Sequence, residues 1–285
     1  MPELQRLQSR RETTLTLLNL VRNVKALAAV TIREQQLAAG ALKHYEETLE
    51  DALGLLLRRH IEVDSGPRGS LTAGIVLGSD QGMCGAFNQR VAELVPVGND
   101  GPLVVMGYRA RRELEKLGYR VEDTLSVPSG GSGAHRLVGA LLVYLERWQA
   151  SSEIGRVNLF LNTPVRGGGE YRGVCRSLLP LGQDWLAKLT RRSWESRSVP
   201  MVLGPEPVVL KTVLRQWLYV TVYRALADSL VAESGARLAA MQAAENNIEG
   251  KLEVLERDVR SLRQSLIDAE LLDISAGFEA VMGDD

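Results

Sequence analysis

Cysteine and histidine are scarce in this chain, and what there is does not cluster. There are two cysteines, Cys84 and Cys175, and three histidines, His44, His60 and His135, in 285 residues. The cysteines lie far apart in sequence and match no metal or redox spacing, so reduced thiols in a reducing compartment are expected. The scattered histidines give no metal site. No apolar run reaches membrane-spanning length, and residues 1–12 lack the character of a signal peptide. A cytosolic or peripheral protein is the expectation. A net charge of −1 leaves no general basic surface for nucleic acid. With 45% hydrophobic and 24% charged residues, the profile is that of an ordinary soluble chain of one or two domains.

Proline is also missing from two long stretches, residues 3–63 and 208–285. In the second, a three-four spacing picks out Trp217, Val220, Ala227, Val231, Leu238, Met241, Ile248, Leu252, Leu255, Val259, Leu262, Leu266 and Ala269. Arg224, Ser234, Glu245 and Asp273 interrupt it, and charged residues such as Glu249, Lys251 and Glu256 fill the flanks. A seam sustained this long predicts a coiled-coil helix more than a globular one. At roughly 1.5 Å per residue it would reach about 100 Å, which takes one end out of its own domain. The first stretch carries a matching seam: Leu4, Leu7, Leu18, Val21, Ala28, Ile32, Ala39, Leu42, Leu49, Leu53 and Leu56. Arg11, Thr14, Lys25, Gln35 and Glu46 interrupt this one. A single apolar seam needs a partner in water. Two such helices at opposite ends of one chain can supply it to each other in antiparallel sense; two helices of an ordinary bundle are the plainer alternative.

The middle is built differently and holds most of the 27 glycines. Residues 65–70 read as a linker. Residues 73–79, 103–107 and 156–162 read as buried strands, residues 108–117 and 134–150 as helices, and residues 171–179 with the Gly167-Gly168-Gly169 turn as a further hairpin. Strands alternating with helices imply a small α/β sheet domain. The fold expected is therefore mixed, α+β or α/β: a long antiparallel coiled coil of N- and C-terminal helices bracketing a small Rossmann-like domain. The boundaries expected are 1–64, 65–204 and 205–285.

The sharpest local signal is Ser79-Asp80-Gln81-Gly82-Met83-Cys84-Gly85, followed by Ala86-Phe87-Asn88. It leaves a strand and opens a helix over residues 87–94, where a phosphate-cradling loop would sit. It lacks G-x-x-x-x-G-K-[ST], and it lacks G-x-G-x-x-G with its downstream acid. Gly82 and Gly85 fit a tight turn and close backbone packing instead. No nucleophile–base pair or paired carboxylates assemble elsewhere, so no catalytic, cofactor-binding or metal residue is expected. A nucleotide-binding α/β enzyme and a free-standing coiled-coil scaffold are the rival readings.

The loop resembles the Ser-Asp-Arg-Gly-Leu-Cys-Gly-Gly of the gamma subunits of F-type ATP synthases. Other fragments follow in the same order: Leu178-Leu179-Pro180, the run Tyr223-Arg224-Ala225-Leu226 with Ser229, Leu230 and Glu233, then Ala236-Arg237 through Asn247, then Arg263-Gln264 through Ile274. The resemblance implies a rotor shaft that transmits rotation between a membrane c-ring and a ring of alpha and beta subunits. It implies an epsilon subunit as a further partner, no cofactor, no catalysis on this chain, and a peripheral place on the cytoplasmic face of the cell membrane within a proton- or sodium-transporting complex. Arg263, Gln264 and Glu270 match positions that contact the ring. Residues 27–31 lose the family's Ser-Lys pair at Val30 and Thr31, and Val259, Arg260 and Asp268 also depart from its pattern. Such departures are expected of a divergent branch, that of the alternative F-type ATPases proposed to pump sodium.

Overall fold

A computed structural model describes residues 2–58, 69–127, 131–165, 170–192, 194, 197–198 and 200–282. It contains α1 (Pro2–Arg58), β1 (Leu71–Leu77), α2 (Phe87–Ala92), β2 (Leu103–Met106), α3 (Tyr108–Lys116), β3 (Val121–Leu125), α4 (Gly131–Ala150), β4 (Ile154–Pro164), β5 (Tyr171–Leu179), α5 (Gln183–Arg191) and α6 (Glu206–Met282). The fold is mixed α/β, with long N- and C-terminal helices and a central, mainly parallel sheet. By contact it divides into two units, Met1–Leu27 with Ala239–Asp285, and Ala28–Leu238.

In the first unit, helical periodicity places Leu18, Met241 and Leu252 inside, at 5%, 6% and 8% exposure. Charge then sets the register. Arg11 reaches Glu256 at 3.2 Å, Arg22 reaches Glu245 at 2.8 Å and Glu249 at 2.7 Å, and Lys25 reaches Gln242 at 3.0 Å as well as Glu245. Partner numbers on α6 fall as those on α1 rise, so the two helices run antiparallel here. Along Glu3–Arg58, α1 includes an 18-residue window of mean hydropathy 1.4, apolar and long enough by those measures to cross a membrane. That differs from the sequence expectation of no such run. The window is only 11% buried, and Leu17, Leu20 and Leu27 stand exposed on the same helix.

In the second unit, the sheet order is β3-β2-β1-β4-β5. The ladders β1–β2, β1–β4 and β2–β3 are parallel, while β5 returns antiparallel to β4. Parallel strands need cover on both faces, and the near-continuous burial of β1 and β2 follows. One face holds Ala73, Ile75, Leu77, Val104 and Met106 against Val138, Leu141 and Leu145 of α4 and Val222 and Leu226 of α6. The other holds Val76, Val105 and Phe160 against Val91 of α2 and Ala110 and Leu114 of α3. A third cluster joins Leu49, Leu53 and Leu56 of α1, Leu189 of α5 and Leu210, Trp217 and Val220 of α6.

Two elements depart from the sequence reading. Strand β3 is a polar edge, Val-Glu-Asp-Thr-Leu, pairing among the described residues with β2 alone, so it carries no buried-strand signature. Helix α5 is nine residues long; Trp185, Leu186 and Leu189 give it an apolar face over barely two turns, and the sequence reading did not assign it. Strand β1 spans Leu71–Leu77, which leaves Ser79 in the loop, and α4 begins at Gly131. The expected Gly167-Gly168-Gly169 turn and most of the 65–70 linker lie outside the described residues.

Candidate functional site: the loop after the first strand

The loop leaves β1 at Gly78 and is held by its own side chains. Gly78 is required by packing, because a Cβ there would fall 2.2 Å from the Cβ of Ala110. Ser79, fully buried, donates its amide to Asn88 Oδ1 at 2.9 Å; Asn88 Nδ2 donates back to Ser79 Oγ at 2.9 Å; and Ser79 Oγ donates to the carbonyl of Gln81 at 2.9 Å. Asp80 accepts from the amides of Tyr108 at 2.8 Å and Val127 at 2.7 Å. Its carboxylate thus sits on the N-terminal turn of α3, where the helix dipole favours negative charge. The loop then turns with φ of 61° at Met83 and 59° at Gly85, left-handed values natural for the glycine alone.

Cys84 faces inward at 3% exposure, in a cluster with Phe87, Ala232, Ala236 and Tyr171. Burial pushes its thiol above the usual range, more than the hydrogen bond from Ser79 draws it down. A buried thiol of raised pKa is a small apolar group, not a nucleophile.

Helix α6 closes over the loop. Ser229 Oγ donates to the carbonyl of Leu77 at 3.3 Å, and Arg237 Nε donates to the carbonyl of Gly82 at 3.3 Å. Arg237 also pairs with Glu233 at 2.7 Å, the two side chains being 13% and 7% exposed. Burial raises the pKa of the Glu233 carboxyl against the pull of Arg237. The sequence reading matched Glu233 and Arg237 to family motifs without seeing this role; their i, i+4 spacing on a buried helix face is the signal for it.

An open sheet of this kind binds ligands outside the carboxyl ends of its strands, where the order reverses. Here that is between β1 and β4. Phe87, at the start of α2, has zero exposure, Asn162 Nδ2 of β4 donates to its carbonyl at 2.9 Å, and Ser229 donates to the carbonyl of Leu77 at the end of β1. The amide of Tyr108, at the start of α3, already has a carboxylate partner in Asp80. Tyr108, Arg109, Arg111 and Arg112 border an open depression beside Asp80. Among the described residues, no group of three or more His, Cys, Asp or Glu could hold a metal.

The structure brings Ser79, Asp80, Gly82, Cys84 and Gly85 together in this loop. Arg263, Gln264 and Glu270 are not part of it: they lie exposed on α6 in the other unit, with half-buried Leu262 and Leu266 beside them in sequence.

The fold and loop define a class: a doubly wound sheet domain carried between two long terminal helices. The rotor of the Euglena gracilis mitochondrial ATP synthase shares the fold at TM-score 0.66, with 15% identity over 93% of this chain and 99% of that one. A second Euglena gracilis structure, of OSCP, F1 and c-ring, gives TM-score 0.69 with 16% identity over 98% and 95%. The family model described as ATP synthase matches residues 3–281. The ATP synthase gamma chain of Neisseria meningitidis serogroup C is 30% identical over 222 residues, 73% of each chain. That of Nitrosomonas europaea is 24% identical across 99% of this chain and 100% of its own length. The chain belongs to the ATP synthase gamma-chain family, and its role is that of the central stalk of the F-type complex.

Proposed function

We propose that the chain acts as a mechanical shaft and not as a catalyst. The terminal helices, within residues 1–64 and 205–285, form an antiparallel left-handed coiled coil, and residues 65–204 form the domain that receives the torque. The observation that carries this reading is the antiparallel ladder of Arg11, Arg22 and Lys25 on Glu256, Glu249 and Glu245. The ladder ties together two seams that each lack a sufficient partner of their own. The shaft turns within a ring of alpha and beta subunits, where the ATP chemistry takes place. The sheet domain joins the epsilon subunit and the membrane c-ring. The chain is then peripheral on the cytoplasmic face of the membrane. Contact with the ring is concentrated at Arg263, Gln264 and Glu270, whose side chains are free of the seam. The loop at Ser79, Asp80, Gly82, Cys84 and Gly85 is structural.

Rotation is coupling by differential contact: an asymmetric surface favours a different conformation of each surrounding subunit in turn. The test is reconstitution with alpha and beta subunits. Supporting evidence is a stoichiometric complex whose ATP hydrolysis depends on this chain. Tight ATP binding by the isolated chain, with no affinity for the ring, would instead favour the nucleotide-enzyme reading.

A further inference from the structure

We propose that Glu233 and Arg237 form a clasp that makes the sheet domain and α6 turn as one body; the proposal rests on the central-stalk reading. The guanidinium of Arg237 is shared between two partners. One is Glu233 on its own helix at 2.7 Å, and the other is the carbonyl of Gly82 on the loop at 3.3 Å. Glu233 sits one turn earlier and fixes the plane of the guanidinium, so that Nε points at the loop. Only an arginine presents donors in a rigid fork of this kind.

The position of the pair matters more than its charge. A buried ion pair is weak evidence for stability, since well-packed apolar residues of similar volume often serve as well or better. What apolar residues cannot do is hold a particular carbonyl. Gly82 lies in an irregular loop that makes no ladder with the sheet. Two residues earlier, Asp80 ties the same loop to the amide opening α3 and to the segment after β3. A continuous polar line therefore runs from α6 through Arg237, Gly82 and Asp80 to the far side of the domain. Apolar contact of Cys84 and Phe87 with Ala232 and Ala236 lies beside it. Apolar contacts resist separation but are non-directional. The directed hydrogen bonds resist sliding, which is what torque about the helix applies.

Two readouts on the full-length chain and its complex test this. First, Cys84 labelling by a maleimide is followed by mass spectrometry, which separates it from the exposed Cys175. Cutting the clasp with Arg237→Met is expected to speed labelling by about tenfold or more, because breaking one side of a buried pair lowers the cost of local opening. Glu233→Gln is expected to speed it less, because Arg237 keeps its bond to Gly82. Second, in the complex with alpha and beta subunits, the angular fluctuation of a probe on the sheet domain is expected to broaden in Arg237→Met, and Arg237→Lys is expected to restore part of the stiffness. Should Arg237→Met fail to fold, Arg237→Lys and Glu233→Gln carry both readouts. Unchanged Cys84 labelling in these variants overturns the clasp. Faster labelling with unchanged angular fluctuation overturns its role in torque. A wild-type complex that shows no rotation overturns that role together with the central-stalk reading, whatever the labelling result.

Discussion

Glu245 is a charged residue on an apolar seam, and the structure gives the reason. It accepts from both Arg22 and Lys25, and these hydrogen bonds, Lys25's first and Arg22's next, hold its carboxyl below its ordinary pKa of 4.5. A carboxyl depressed in the folded state contributes stability above its unfolded pKa and loses it as the pH falls through the folded value. The helix pair of the first unit should therefore weaken at acid pH, below about 4.5. Glu245→Gln should lower the thermal midpoint at neutral pH and remove this share of the pH dependence, as read by circular-dichroism melts from neutral to acid pH. Other interruptions of the two seams obey the same logic: Glu46 meets Arg224, and Arg11 meets Glu256. The sequence shows each of them as a defect in one helix, because the partner lies more than 170 residues away. Cys84, by contrast, has its neighbours close in sequence, in a glycine-rich turn just after a buried strand, and is itself buried. Cys84→Ala should cost about 1 kcal/mol, near the centre of the range for point substitutions. It should leave ATP hydrolysis by the assembled complex intact, and near-complete loss of turnover in a still-assembled complex would refute a structural role.

At the level of elements, the long helices, the buried strands and even the edge strand β5 could be read from the sequence, while β3 and α5 could not. Helix α1 packs its C-terminal part through Leu49, Leu53 and Leu56 against α5 and α6. Leu53 is fully buried, so Leu53→Ala should destabilise the chain by about 2–5 kcal/mol through lost burial and a residual cavity, measured by urea unfolding. The sequence showed Leu53 on a seam without showing that α5 covers it, because the apolar face of α5, Trp185, Leu186 and Leu189, is short and names no partner. Strand β3 escaped notice for a related reason. It is an edge, and an edge needs only one good ladder and can keep Glu122 and Asp123. The loop site was visible as a motif, but its closure by Ser229 and Arg237 depends on tertiary contacts across 152 and 155 positions. On α6, Arg263 and Gln264 sit exposed beside half-buried Leu262. A hydrogen bond from an arginine to a ring carboxylate is worth about 1.5–3 kcal/mol. Made in only one rotary state, it is enough to change turnover by an order of magnitude or more. Arg263→Ala should therefore lower ATP hydrolysis by the complex and leave ATP binding to isolated beta subunits unchanged; unchanged turnover and torque in both Arg263→Ala and Gln264→Ala would remove these residues from the contact.

For the molecule as a whole, the sheet is doubly wound, its order reversing between β1 and β4. Asn162 of β4 holds the carbonyl of Phe87, Ser229 holds that of Leu77 at the end of β1, and Asp80 accepts from the amide that opens α3. A fold does not by itself give a function, and it is the family that places this chain in the central stalk of the F-type complex. The most direct measurement fixes the alpha and beta ring to a surface, attaches a probe to the exposed face of the sheet domain, and adds ATP. The account predicts unidirectional rotation of the probe that stops when ATP is exhausted. ATP hydrolysis by a complex containing this chain, with the probe showing only undirected fluctuation, would contradict it.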